Sequence, residues 1–185
     1  MPKYIAFLRA INVGGHTVKM DHLRDLFAAL GFRNVETFIA SGNVIFDSTS
    51  KNTRALEQKI ESCLQESLGY EVATFVRSTS ELRDVAEYQP FPDLELGAAG
   101  HVVYIGFMAA EPSDTAKEKL LSLATKIDDF HLKGREVYWL CRAKFSESGV
   151  SGALLAKTLG MPATLRNSTT VKKITAKYSQ PLDAE

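Results

Sequence analysis

The order of apolar patterns in the N-terminal part of the chain constrains the fold more than any other feature of the sequence. A strand-like run is followed by an amphipathic helical run, two short β-rich runs, a second helical run and a last strand. These segments occupy residues 3–13, 20–30, 35–40, 44–47, 52–69 and 70–77. The order βαββαβ is typical of a ferredoxin-like α+β fold, so we predict that fold for this part of the chain.

The rest of the chain repeats most of this order. A short helix over residues 79–88 and a loop over 89–100 that contains prolines and glycines lead to a second series of patterns. This series is a strand, a helix, a hairpin and two helices, at residues 101–108, 113–127, 128–141, 150–159 and 168–178. We therefore predict an α+β fold of two ferredoxin-like halves, the second incomplete and ending in helices.

The length and composition allow two such halves. The chain has 185 residues, of which 45% are hydrophobic, and this is enough material for a core in each half. We assign residues 1–78 to the N-terminal half, 79–100 to a helix and linker, and 101–180 to the second half. The halves share the order of their elements, and we detect no residue-level repeat between them.

The predicted topology brings two turns that are far apart in sequence to one edge of the sheet. The third strand of a βαββαβ unit pairs between the first and the second. The loop after the first strand, the start of the first helix and the turn between strands two and three therefore meet. The candidate ligand-binding residues at this edge are Arg9, Asn12, Gly14, Gly15, Lys19, Ser41, Gly42 and Asn43.

The chemistry of this edge suits a phosphate or a carboxylate. Glycines let backbone N–H groups approach a ligand closely, and the first N–H groups of a helix favour an anion. Lys19 adds a positive charge, and asparagine and serine side chains add hydrogen bonds. We predict a site for a small anionic ligand. The alternative interpretation is that glycine and asparagine only allow two tight turns to form.

Two arginines extend the candidate site. Arg9 would share a strand face with apolar residues, where an arginine needs a partner or a ligand; a salt bridge to a helix carboxylate explains it equally well. Arg166 precedes Asn167, which can cap the last helix, and the N-terminus of a helix attracts anions. Ordinary capping is the competing interpretation for this second pair.

The distribution of charge supports a different function. The chain holds 22 basic and 22 acidic residues, yet residues 149–180 contain five basic residues and no acidic one. Such a basic segment can attract an anion, so nucleic-acid binding through the C-terminal helix is an alternative. The predicted third strand has one aromatic residue, Phe46, which disfavours the binding mode of an RNA-recognition motif. A protein-interaction or purely structural role is the third hypothesis.

Catalytic and metal-binding patterns are not found in the sequence. The four histidines have no metal-ligand spacing, and Cys63 and Cys141 form no CxxC pair. We assign no catalytic residue, metal or cofactor, and whether the protein is an enzyme stays open, as does its oligomeric state. No apolar stretch is long enough to span a bilayer and no signal-peptide pattern is found, so we expect no membrane partner. Two cysteines without a CxxC motif suit a reducing compartment, so we expect a cytoplasmic protein.

Several segments together resemble a known family. They are residues 4–15, 41–46, 144–146 and 162–171, with Met20 and Leu23 as further matches. In this order the chain resembles the bacterial family called domain of unknown function 1697 over nearly its whole length. The resemblance implies two ferredoxin-like halves and no particular reaction, since the family has no established activity. Ala10 stands where family members usually have glycine, and Ser168 where many have tryptophan.

Overall fold

Two four-stranded antiparallel sheets carry the helices of the structure, a computed structural model that describes residues 1–12, 15–39 and 42–179. The chain divides into two units, Met1–Leu82 (unit 1) and Arg83–Glu185 (unit 2). Helix α3, Thr79–Glu87, continues across this division. The boundaries expected from the sequence, at residues 78 and 100, stay a prediction.

Unit 1 has the ferredoxin-like topology that the sequence predicts. Its elements before α3 are β1 Lys3–Leu8, α1 Met20–Ala29, β2 Arg33–Thr37, β3 Asn43–Asp47, α2 Thr53–Leu68 and β4 Thr74–Ser78. The strand order is β2-β3-β1-β4, and all neighbouring strands are antiparallel. Strand β3 therefore lies between β1 and β2, as expected.

Local sequence signals explain the limits of these elements. The Asn52 side chain caps α2 by accepting a hydrogen bond from the Ala55 N–H, and Gly69 ends the helix with a φ of 82°. Strand β1 is shorter than predicted, because it ends at Leu8 rather than continuing to Val13. The cause is Ala10, whose φ of 54° lies in the left-handed region and is incompatible with an extended strand.

Both faces of the unit 1 sheet are buried. The face under α1 and α2 contributes alternate residues to a continuous core, among them Ala6, Val44, Phe46 and Val76. The opposite face is no more than 2% exposed at Ile5, Phe7, Ile45 and Phe75. RNA-recognition motifs stack bases on an open sheet face. This opposite face is therefore not exposed for such stacking.

Glutamates cover the outer edge of β4. The Thr74 N–H donates to Glu61 Oε1 at 3.0 Å, and the Val76 N–H donates to Glu57 Oε1 at 2.9 Å. The spacings agree, since four helical residues advance about 6.0 Å and two strand residues about 6.7 Å. Glu57 is fully buried and Glu61 is half-buried. Carboxylates on this edge prevent it from pairing with another strand.

Glu57 also compensates a buried cation. Its Oε1 lies 3.9 Å from Arg77 Nη1, its Oε2 accepts from Arg54 Nη1 at 3.2 Å, and Arg77 is 1% exposed. A buried charge without its partner is strongly destabilising. Glu57 is therefore an anchor between α2 and β4.

Replacing Glu57 with alanine should lower the free energy of unfolding by about 3 kcal/mol, because an N–H and a guanidinium lose their buried partner. Urea unfolding followed by circular dichroism measures the loss. Glu66→Ala, which changes an exposed residue of the same helix, is the control and should cost less than about 0.5 kcal/mol. Equal losses in the two variants would show that Glu57 is not an anchor.

Unit 2 has the same topology and is complete. After the short helix α4 (Asp93–Leu96), its elements are β5 Val102–Met108, α5 Asp114–Leu121, β6 Asp128–Lys133, β7 Glu136–Cys141, a 3-10 turn at Phe145–Glu147, α6 Gly152–Leu159, β8 Ala163–Asn167 and α7 Ser168–Tyr178. The strand order is β6-β7-β5-β8, so the prediction that this half lacks its last strand was wrong. Strand β8 passes directly into α7 with no turn residue between them, and this removes the usual sequence signal for a strand end.

The two units also share a residue-level repeat that the sequence analysis missed. Residues 4–8 (YIAFL) and 104–108 (YIGFM) occupy the same place in β1 and β5. Ile5 pairs with Arg77 of β4, and Ile105 pairs with Arg166 of β8. Each arginine donates from Nη1 to the carbonyl of the residue before it, at 2.9 and 3.0 Å. The units are therefore two copies of one βαββαβα pattern.

Candidate functional site

The end of β1 and the β2–β3 turn lie side by side. The Leu8 N–H donates to the Gly42 carbonyl at 2.8 Å, and Phe7 pairs with Asn43 in the ladder between β1 and β3. The structure therefore brings together the two remote segments that the topology argument placed at one edge. Gly14 and Ser41, which belong to the predicted site, lie outside the described residues.

Gly42 is fixed by packing as well as by its backbone conformation. Its φ is 80°, and a Cβ added there would lie 3.0 Å from Ile11 Cγ2 and 3.1 Å from Leu8 Cβ. A larger residue would need both a strained backbone and a shift of these side chains. Gly42 is buried against apolar atoms, so its role in the structure is to let the turn approach β1.

The two asparagines hold the same loops. Asn43 is fully buried, and its Nδ2 donates to the Phe38 carbonyl at 2.9 Å across the turn. Asn12 is exposed, and its Oδ1 accepts from the Val18 N–H at 2.8 Å. This second contact closes the loop that leads into α1. Both side chains therefore order the loops from which a ligand would be bound.

Two cations stand at this edge. Arg9 is half-buried and lies one residue beyond the end of β1, so the expectation that it shares a strand face was wrong. Lys19 is exposed and is the N-cap residue of α1. Within the described ranges, neither side chain has a carboxylate at ion-pair distance. The salt bridge offered as an alternative explanation for Arg9 is therefore not found there.

No side chain of a described residue caps the first turn of α1, and the Lys19 side chain cannot accept a hydrogen bond. Gly15 is exposed and has a φ of 83°, and no described residue beyond its chain neighbours has an atom within 4 Å of the position of a Cβ. The edge therefore combines an exposed glycine, positive charge and the N-terminus of a ten-residue helix.

An aromatic pair borders the loop on one side. The His16 ring stacks on the Tyr70 ring with 3.9 Å between centroids, and Tyr70 donates its hydroxyl to the Ile11 carbonyl at 3.2 Å. Tyr70 precedes β4 and was not among the predicted site residues. The sequence around Tyr70 does not indicate this position, because Tyr70 reaches the loop after β1 only through tertiary packing.

Arg166 and Asn167 serve unit 2 itself. Arg166 is 8% exposed, and its Nη1 donates to Thr164 Oγ1 at 2.8 Å and to the Leu165 carbonyl at 3.0 Å. Burial lowers the pKa of the Arg166 guanidinium from its ordinary value to about 10. Asn167 caps α7 by accepting from the Thr169 N–H at 2.9 Å. Both residues have structural partners within their own unit.

Comparison with known proteins identifies the family. The family described as "Protein of unknown function (DUF1697)" matches residues 1–138. The chain belongs to the DUF1697 family. A solved structure titled as conserved bacterial protein SP0830 from Streptococcus pneumoniae is similar in fold, with a TM-score of 0.77 and 23% identity. The match covers 97% of this chain and 99% of that one, and no curated protein matches.

In the part of this DUF1697 protein that the structure describes, no helix has both the length and the apolar character needed to cross a bilayer. The same residues contain no group of three His, Cys, Asp or Glu side chains that could hold a metal ion.

The backbone at position 10, where the resemblance to the family implies glycine, has a conformation that favours glycine. The φ of Ala10 is 54°, in a region where glycine has no steric penalty. Glycine there would remove the strain between Cβ and the backbone, at the cost of a more flexible unfolded chain.

Ala10→Gly should therefore raise the free energy of unfolding by up to about 1 kcal/mol, measured by urea unfolding. Ala28→Gly, at an exposed position of α1, is the matched control and should lower it by about 1 kcal/mol. If both changes destabilise to the same extent, the backbone strain at residue 10 has no energetic effect.

Proposed function

We propose that this DUF1697 protein binds a small molecule that bears a phosphate or a carboxylate, at the edge of unit 1 where β1 ends. The observation that carries the proposal is the position of Arg9 and Lys19. Arg9 directly follows β1, Lys19 is the N-cap residue of α1, and neither is neutralised by a carboxylate among the described residues. A half-buried and an exposed cation close to a helix N-terminus in sequence favour an anion.

The surrounding structure would give such a ligand a fixed frame. The Leu8–Gly42 hydrogen bond and the Asn12–Val18 contact hold the two loops in place. A ligand bound to ordered loops loses less free energy to immobilising them. Arg9 can donate two parallel hydrogen bonds to a carboxylate or phosphate, and Lys19 can supply a point charge next to the first turn of α1.

A thermal-shift screen with inorganic phosphate, a nucleoside monophosphate and citrate tests the proposal. A ligand at 100 times its Kd should add about 2.7 kcal/mol of stability. The double variant Arg9→Gln/Lys19→Gln should lose this stabilisation. Lys51→Gln/Lys119→Gln removes the same charge from two exposed positions elsewhere and should keep it.

Two results would reject this function. One is a screen in which none of the anions stabilises the wild-type protein. The other is a stabilisation that Arg9→Gln/Lys19→Gln retains in full, because binding would then take place elsewhere on the protein.

Nucleic-acid binding is a second candidate, favoured by the orientation of α7. This helix buries Val171 and Ile174, while Lys172 and Lys173 are exposed on its other side. The helix has no acidic residue, so its outer face is positively charged. Such a face can contact phosphates without reading the sequence of the bases.

If α7 binds nucleic acid, labelled RNA or DNA oligonucleotides should be retained at low salt and released as salt increases. Lys172→Gln/Lys173→Gln should weaken this retention more than Lys51→Gln/Lys119→Gln does. Unchanged mobility of the oligonucleotides in an electrophoretic assay would eliminate this candidate. If neither anions nor oligonucleotides bind, the interaction or structural role is favoured.

A further inference from the structure

A separate cavity of about 320 Å³ lies at the other end of the unit 1 sheet. Phe7 and Asn43 mark the end of the β1–β3 ladder near the proposed site, and Lys3 and Asp47 mark the opposite end. The cavity is at this second end, between the corner that joins α1 to β2, the connection from β3 to α2, and the first turns of α2. Its volume is in the range of small-molecule sites.

The charge that lines this cavity is positive. Arg33 and Lys59 are its charged lining residues, and no acidic residue is among the described residues that line it. Asp47 pairs with Arg33 across the β2–β3 ladder, but its carboxylate accepts from Lys3 Nζ at 2.8 Å and from Asn34 Nδ2 at 2.7 Å. The Arg33 guanidinium is exposed and makes no ion pair with a described residue. The cavity therefore attracts an anion.

Hydroxyl groups supply hydrogen-bond donors on one wall. Ser48 is 6% exposed, and its Oγ accepts from the Ser50 N–H at 3.2 Å. Ser50 Oγ accepts in turn from the Asn52 N–H at 3.3 Å. A hydroxyl that accepts a hydrogen bond still carries one hydrogen that it can donate. Each serine is thus held in place by the backbone while its proton remains available to a ligand.

The remaining wall is apolar. Phe32 and Leu56 are 6% and 2% exposed, and both line the cavity. Lys59 Nζ lies 5.3 Å from the centroid of the Phe32 ring and donates to the Leu30 carbonyl at 2.7 Å. Lys59 therefore has a structural role at the end of α1 in addition to its charge. A ligand with an anionic part and an apolar part could therefore contact the positively charged residues and the apolar wall of this cavity at the same time.

We propose that this cavity binds a phosphate monoester with a small apolar organic group. Arg33 and the hydroxyls of Ser48 and Ser50 bind the phosphate, and the organic group packs against Phe32 and Leu56. The site is independent of the one proposed at the end of β1, because it uses other residues at the opposite end of the sheet.

Isothermal titration with phenyl phosphate and with inorganic phosphate at low ionic strength tests this inference. Phenyl phosphate should bind about tenfold more tightly, since burial of its ring adds apolar contact. Arg33→Gln should weaken the binding of phenyl phosphate by about tenfold, through loss of a charge-assisted hydrogen bond. Ala55→Phe narrows the cavity without changing its charge and should abolish the component of binding that Arg33→Gln weakens.

Matched controls separate the two sites. Lys51→Gln removes an exposed charge close in sequence but outside the lining and should leave the affinity unchanged. Arg9→Gln/Lys19→Gln should leave the affinity of the cavity unchanged, and any separate component of phenyl phosphate binding that this variant removes belongs to the site at the end of β1. Circular dichroism confirms that each variant is folded.

Three results would overturn the inference. The first is that phenyl phosphate fails to bind at millimolar concentration. The second is binding that is equal for both probes and insensitive to Ala55→Phe. The third is binding that is lost in Arg9→Gln/Lys19→Gln and kept in Arg33→Gln, which would place the ligand at the end of β1.

Discussion

The contact between Glu57 and β4 organises unit 1. The carboxylate accepts from the Val76 N–H at 2.9 Å and faces the buried Arg77, so it joins α2 to an edge strand. Once this contact forms, the apolar stripe of α2 is held against the sheet core. Because β4 pairs with the central β1, the end of β1 is fixed as well. A polar contact between a helix and a strand thereby positions the loops of the candidate site.

Much of the fold was predictable because its signals are local. Asn52 and Gly69 mark the ends of α2, and Ser113, the first residue of the predicted helix over 113–127, caps α5. Given the order of helices and strands, the rules for connections between strands allow only a few arrangements of the four strands in each sheet. Strand β8 was missed, since it has five residues and no turn before α7. The role of Glu57 was not predictable either, because its position on the helix does not reveal which strand lies opposite.

For the candidate site, the sequence predicted which loops lie side by side but not the contacts of their side chains. Topology was sufficient to place the loop after β1 beside the β2–β3 turn. Sequence could not indicate that Gly42 packs on Ile11, or that Asn43 is buried, because both depend on side chains from another element. The cavity near Ser48 is formed by the α1–β2 corner, the β3–α2 connection and the start of α2. None of these segments contains a sequence motif that predicts a cavity.

The duplicated pattern shows where the two copies have diverged. Strands β1 and β5 keep nearly the same residues, whereas the connections that follow them differ. Eleven residues separate β1 from α1, and five residues without glycine separate β5 from α5. The longer link lies in unit 1, where it leads to Lys19 and α1. The two units thus share one framework and differ in the loop that leaves it, so the glycine-containing loop of unit 1 has no equivalent after β5.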